Sequence, residues 1–149
     1  MYQEQKMEKI TVNLPPGELA RMDILVEAGL YPSRTELIRV GIGKTLDSHQ
    51  DFIDERISQL REDADMEKKE LSSEDLLTNM FFMGVGHLDV KTFEKAIAKK
   101  KKIRVVAFGI LSIDTAVTVE QIEQTVAKIR VYGVLKASPQ VKIALSRKK

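Results

Sequence analysis

The sequence predicts an α+β protein: an N-terminal strand–helix–helix segment that pairs with a second copy of itself, a helical linker, and a small α+β C-terminal domain. Three observations carry this. Residues 7–14 alternate apolar and polar with no nearby strand to pair with, the stretch 51–75 is acidic and lacks Gly and Pro, and residues 76–149 are basic and contain an internal echo. The boundaries read as 1–48 for the strand–helix–helix segment and its dimerisation, 49–75 for the linker, and 76–149 for a domain of oligomerisation or signal input.

In the first segment Ile10, Val12 and Leu14 alternate with Lys9, Thr11 and Asn13, the period-2 pattern of a strand with one buried face. Pro15-Pro16 ends it, and Pro16 suits the first turn of a helix. Leu19, Met22, Leu25 and Val26 form a helical stripe up to Gly29, a candidate left-handed C′ residue. After Pro32, Ser33-Arg34-Thr35-Glu36 has capping-box spacing, and Leu37, Ile38, Gly41, Ile42 and Leu46 continue a second helix.

Lys44 to Met83 is free of Gly and Pro, and Leu46, Ile53 and Leu60 lie seven apart. The acidic part reads as one long helix whose apolar positions pack and whose charges face water, rather than as a free coiled coil. A new helix capped by Ser72 or Ser73 is expected through Leu76, Leu77, Met80 and Phe81, broken by Gly84-Val85-Gly86. Asp89 opens another, with Val90, Phe93 and Ile97 on one face, ending in Lys99–Lys102, read as a solvated helix end. Lys102-Ile-Arg-Val recurs as Lys128-Ile-Arg-Val, and Gly109, Leu111 and Val117 are matched 24 residues later by Gly133, Leu135 and Val141. Val119, Ile122, Val126 and Ile129 have helical spacing between the copies, predicting strand–helix–strand, with a third short strand at Val141–Leu145. Two copies fall below the three that a solenoid needs, so a stacked solenoid is disfavoured. Gly84-Val85-Gly86 and Gly109 lack a phosphate-loop pattern and read as turns.

Charge divides the chain: 6 basic and 7 acidic residues in 1–50, 4 and 10 in 51–75, and 14 and 5 in 76–149. Nucleic-acid binding would therefore use a local patch. The absence of Cys excludes a disulfide framework and suits a reducing cytoplasm. The longest apolar run, Val105–Leu111, is too short to span a bilayer, and the polar start does not read as a signal peptide. His49 and His87 have no partner at ligand spacing, so no metal site or cofactor is expected. No nucleophile–base set or phosphate loop is visible, so the chain does not read as an enzyme.

A lone strand with two open edges and two short helices bury too little to fold alone. Two copies solve this by pairing their strands antiparallel, with Ile10, Val12 and Leu14 inward and Lys9, Thr11 and Asn13 outward. A two-stranded ribbon fits the major groove, where Lys9 donates to guanine, Asn13 pairs with adenine and Thr11 contacts a base edge or a thymine methyl. The capped helix start at Ser33, Arg34 and Thr35 offers free N–H groups to phosphate.

These residues resemble the MetJ/Arc/CopG ribbon–helix–helix DNA-binding family. The carriers are Lys9-Ile-Thr-Val-Asn-Leu-Pro, the helix after it, and Gly29-Leu-Tyr-Pro-Ser-Arg-Thr-Glu-Leu-Ile-Arg, a third of the chain within residues 7–48. Gly41 and Gly43 depart from the family pattern. The resemblance implies base contacts from Lys9, Thr11 and Asn13, and phosphate contacts at Ser33 and Arg34. The expected function is a sequence-specific transcriptional regulator, a repressor binding an inverted repeat of double-stranded DNA as a homodimer. Tetramers or larger assemblies, or a protein partner, would engage 76–149. The alternative is an antitoxin or plasmid-maintenance protein whose C-terminal region binds a partner or forms an assembly. Residues 50–149 resemble no named family.

Overall fold

The computed structural model describes residues 7–70 and 77–149. The chain divides into two compact units, Met1–Asp54 and Glu55–Lys149.

In the first unit, residues 7–14 are not paired into a strand within the chain. Helix α1 (Pro16–Glu27) starts with Pro in its first turn. It ends in a Schellman motif: Gly29 N–H donates to Val26 O (3.0 Å), Leu30 N–H donates to Leu25 O (3.1 Å), and Gly29 takes φ +74°. Helix α2 (Arg34–Asp47) is capped by Ser33, whose Oγ accepts from Glu36 N–H at 3.1 Å. The return half of the expected capping box is not made. The Glu36 carboxylate accepts instead from Arg39 Nη1 at 2.8 Å, one turn on. α2 packs against α1.

Helix α3 (Gln50–Glu70) supplies the expected acidic helix. A turn at Ser48-His49 separates it from α2 and interrupts the heptad spacing, placing Leu46 on a different helix from Ile53 and Leu60. Two local competitors for backbone groups sit here. Ser48 Oγ donates to Thr45 O, and His49 Nδ1 lies 2.8 Å from the same carbonyl.

The second unit corrects several expectations. Leu77–Leu88 is a strand, β1, where a helix was predicted through Leu77, Met80 and Phe81; Ser72, Ser73 and Leu76 lie outside the described residues. Gly84 and Gly86 sit inside β1 rather than in a turn. The first strand after residues 7–14 therefore begins at Leu77. α4 (Val90–Ala98) follows, then β2 (Lys102–Ile113), α5 (Val119–Thr125), β3 (Val126–Lys136) and α6 (Pro139–Ser146). The predicted strand at Val141–Leu145 is helical, because Ser138 caps it and Pro139 opens it. The predicted helix through Val126 and Ile129 stops at Thr125. There the chain passes directly into β-branched residues that fit a pleated strand.

The three strands are parallel in the order β1-β2-β3, each followed by a helix, with α4 packed on α5 and α5 on α6. This is a three-rung stack of strand–helix units, the arrangement the two visible copies did not suffice to predict. Each helix of the later rungs packs on its own strand, and strands and helices both pack on those of the neighbouring rung. The core draws Phe93 from α4, Ile103, Val105 and Leu111 from β2, Ile122 from α5 and Val141 and Leu145 from α6, all buried. Alternation along β2 keeps Ile103, Val105, Ala107, Leu111 and Ile113 inward. Phe108 faces the other side, stacked on Tyr132 of the next strand (4.8 Å, 6°).

One position is shared by all rungs. Gly84, Gly109 and Gly133 are aligned across the sheet. Gly109 and Gly133 have φ of +118° and +127°, and a Cβ on either would lie 2.1 Å from the carbonyl oxygen of the preceding glycine in the row. The strands approach so closely here that no side chain fits.

Helix starts are capped from the sequence. Thr118 and Gln121 form a full capping box, and the Asp89 carboxylate accepts from Thr92 N–H (2.9 Å) and Thr92 Oγ1 (2.6 Å). The two Thr92 hydrogen bonds, aided by His87 and Lys91, hold the Asp89 carboxyl below the ordinary carboxylate range. A carboxyl depressed in the folded state stabilises above its unfolded value and loses that contribution as pH falls through it. The stability advantage of the native protein over Asp89→Asn is therefore expected to narrow between about pH 5 and pH 3. Thermal melts of both proteins across that range check it; an unchanged gap would contradict the role of the charge.

Candidate nucleic-acid interface

Lys9, Thr11 and Asn13 are exposed, and so are the apolar residues that alternate with them: Ile10 is 73% and Val12 57% exposed. Leu14, at the end of the segment, is half-buried. Were this segment paired as a strand, successive side chains would point to opposite sides and the polar and apolar sets would form two separate rows. Within one chain both sets are exposed, apart from half-buried Leu14.

The helices above them are equally incomplete. Among the described residues of the first unit, Met22 alone is buried, while Ile24, Leu30, Ile42 and Leu46 are exposed. A fold of this size needs far more apolar burial than one methionine supplies.

The start of α2 carries the second predicted cluster. Ser33 is the N-cap, and the Arg34 and Thr35 backbone N–H groups lie in the first turn, where no intrahelical acceptor exists. Arg34 is already engaged. Its Nε and Nη2 donate to Oδ1 (2.6 Å) and Oδ2 (2.5 Å) of Asp23 on α1, a bidentate pair. That pair holds the Asp23 carboxyl below its usual value and raises the Arg34 guanidinium. It also ties the end of α1 to the start of α2. The Arg34–Asp23 partnership was missed in the sequence: the residues are eleven apart, and only the turn at Gly29 brings them together. Ser33, Arg34 and Thr35 are contiguous at one helix end, while Lys9, Thr11 and Asn13 lie on the separate segment before α1.

The histidines are occupied locally. His87 Nδ1 lies 2.9 Å from Ser112 Oγ, and His49 Nδ1 lies near Thr45 O and Ser48 Oγ. No helix among the described residues is long and apolar enough to cross a membrane.

A short exposed segment of alternating polar and apolar residues, followed by a two-helix hairpin whose second helix is capped by Ser33, is the layout of a nucleic-acid-binding module of the strand–helix–helix type. The chain belongs to the Ribbon-Helix-Helix transcriptional regulator family, whose pattern matches residues 5–80 and again 58–142. It is also similar to the transcriptional regulator CdrS of Halobacterium salinarum, 33% identical over 45 residues, which cover 30% of this chain and 82% of that protein. No solved structure matches the chain. The protein is therefore a DNA-binding regulator of transcription and not an enzyme.

Proposed function

We propose that the protein is a repressor that binds an inverted repeat in the cytoplasm as an intertwined homodimer of the CopG type. The observation that carries this reading is the mismatch among the described residues of the first unit: one buried apolar side chain, Met22, against many exposed ones. A second copy removes it. Antiparallel pairing of residues 7–14 places Ile10, Val12 and Leu14 of both chains under the helices and aims Lys9, Thr11 and Asn13 into the major groove.

In this reading Lys9 donates to guanine, Asn13 makes a bidentate contact to adenine, and Thr11 touches a base edge. Ser33 and the Arg34 and Thr35 backbone amides take a phosphate. Arg34 joins them through Nη1, the nitrogen its pair with Asp23 leaves over. The C-terminal unit then serves assembly beyond the dimer, a protein partner or signal input. The antitoxin alternative is disfavoured by the folded strand–helix rungs of residues 77–149, since a partner-wrapping tail would have little core of its own.

Thr11→Ala and Asn13→Ala are each expected to lose about 1–3 kcal/mol of discrimination between operator and random DNA. Arg34→Ala is expected to weaken all sequences alike. Gel shifts with a fragment upstream of the gene, footprinted for a short inverted repeat, measure this. Ribbon variants that bind as selectively as the native protein would overturn the reading.

A further inference from the structure

A cavity of about 250 Å³ opens on the first rung of the C-terminal unit, between the start of β1, the end of α4 and the start of β2. Its apolar floor is Met80, Ala96 and Ile103; Lys95, Lys99 and Lys101 stand on its rim beside Thr78. The volume is that of about eight water molecules, small for a polymer segment and suited to a metabolite.

The three lysines are assembled by local structure. Lys95 and Lys99 lie four apart on one helical face. Lys101 is brought round by a Schellman turn in which Lys100 N–H donates to Ile97 O (3.0 Å) and Lys101 N–H donates to Ala96 O (2.8 Å). That turn places Lys100, which does not line the cavity, at φ +51°, and so carries the chain round to Lys101. Charge balance does not explain the cluster. The helix end carries about half a negative charge against three cations. No acidic residue occurs between 95 and 113. Among the described residues none of these three ammonium groups has a carboxylate partner. Neighbouring cations are handled differently: Lys102 Nζ donates to Gln124 O at 2.7 Å, and Lys148 pairs with Glu123 at 3.0 Å.

We propose that this cavity binds a small multivalent oxyanion, a phosphorylated or polycarboxylate metabolite, with its charged groups on Lys95, Lys99 and Lys101 and its body on the floor of Met80, Ala96 and Ile103. The site lies wholly within the C-terminal unit and does not depend on how the N-terminal unit reads DNA.

Isothermal titration calorimetry of the full chain, without DNA and at constant ionic strength, tests it with pyrophosphate and citrate as separate probes. Saturable binding of one anion per chain is expected for at least one probe. Lys95→Gln combined with Lys99→Gln should weaken it at least tenfold, with circular dichroism and melting temperature unchanged. Saturation by pyrophosphate alone assigns a phosphorylated ligand, and by citrate alone a polycarboxylate. Heat that fails to saturate at millimolar probe, or equal binding by the double variant, overturns the proposal. So does a double variant that keeps anion binding but loses affinity for random-sequence duplex, since the lysines would then serve the DNA backbone.

Discussion

Ile10→Asp combined with Val12→Asp is expected to dissociate the protein and to cut operator affinity more than a hundredfold. Both side chains are exposed in one chain, so the change removes no buried contact within a subunit. In a paired ribbon the same positions are covered, and two copies would bury four carboxylates without partners. Each uncompensated carboxylate costs several kcal/mol, more than a two-stranded ribbon gains from its backbone hydrogen bonds. Sedimentation equilibrium reads the association and gel shifts read the affinity. A double variant that remains dimeric and still binds would remove the shared ribbon from the account, whereas Thr11→Ala and Asn13→Ala test only what the ribbon's outer face reads.

Gly109→Ala is expected to cost the C-terminal unit on the order of 3 kcal/mol or more, a severe loss for one methyl group. Two penalties coincide. The backbone sits at φ +118°, which side chains rarely adopt, and the new methyl would lie 2.1 Å from Gly84 O. That oxygen belongs to a hydrogen-bonded neighbouring strand and cannot swing away as a side-chain tip would. Gly133→Ala meets Gly109 O at the same distance and should behave alike. Gly84→Ala is the internal control: φ is +84° but nothing lies within 4 Å, so only conformational strain of about 1–2 kcal/mol remains. Thermal unfolding of the three variants ranks them. Gly109→Ala no worse than Gly84→Ala would mean that the strands move apart freely at this row.

Much of the first unit was legible because its signals are local. Pro16 at a helix start, Gly29 at a left-handed cap and Ser33 before Arg34 act on backbone groups within a few residues, and each holds in the structure. The capping box failed halfway for an equally local reason, since Arg39 one turn later offers Glu36 a charged donor. Farther along, the same reasoning misread Leu77–Leu88. A short apolar run followed by glycines fits a broken helix and a glycine-kinked strand equally well, and only the strand beside it decides between them.

The glycine row makes the point most directly. Along the chain Gly84, Gly109 and Gly133 look like three turns 24 or 25 residues apart; across the sheet they are one feature, the place where three strands meet without side chains. The first rung escaped notice because only its glycine and its apolar spacing match the Lys-Ile-Arg-Val copies, so the repeat looked double when it is triple. Hydrophobic alternation, helix caps and the charge division of the chain were determined by the residues themselves, because each depends on neighbours in the covalent order. The three-rung stack, the Asp23–Arg34 pair and the convergence of Lys95, Lys99 and Lys101 on one cavity were decided only in three dimensions. They depend on which distant segments pack together, and that is set by mutual burial rather than by any residue's own preference.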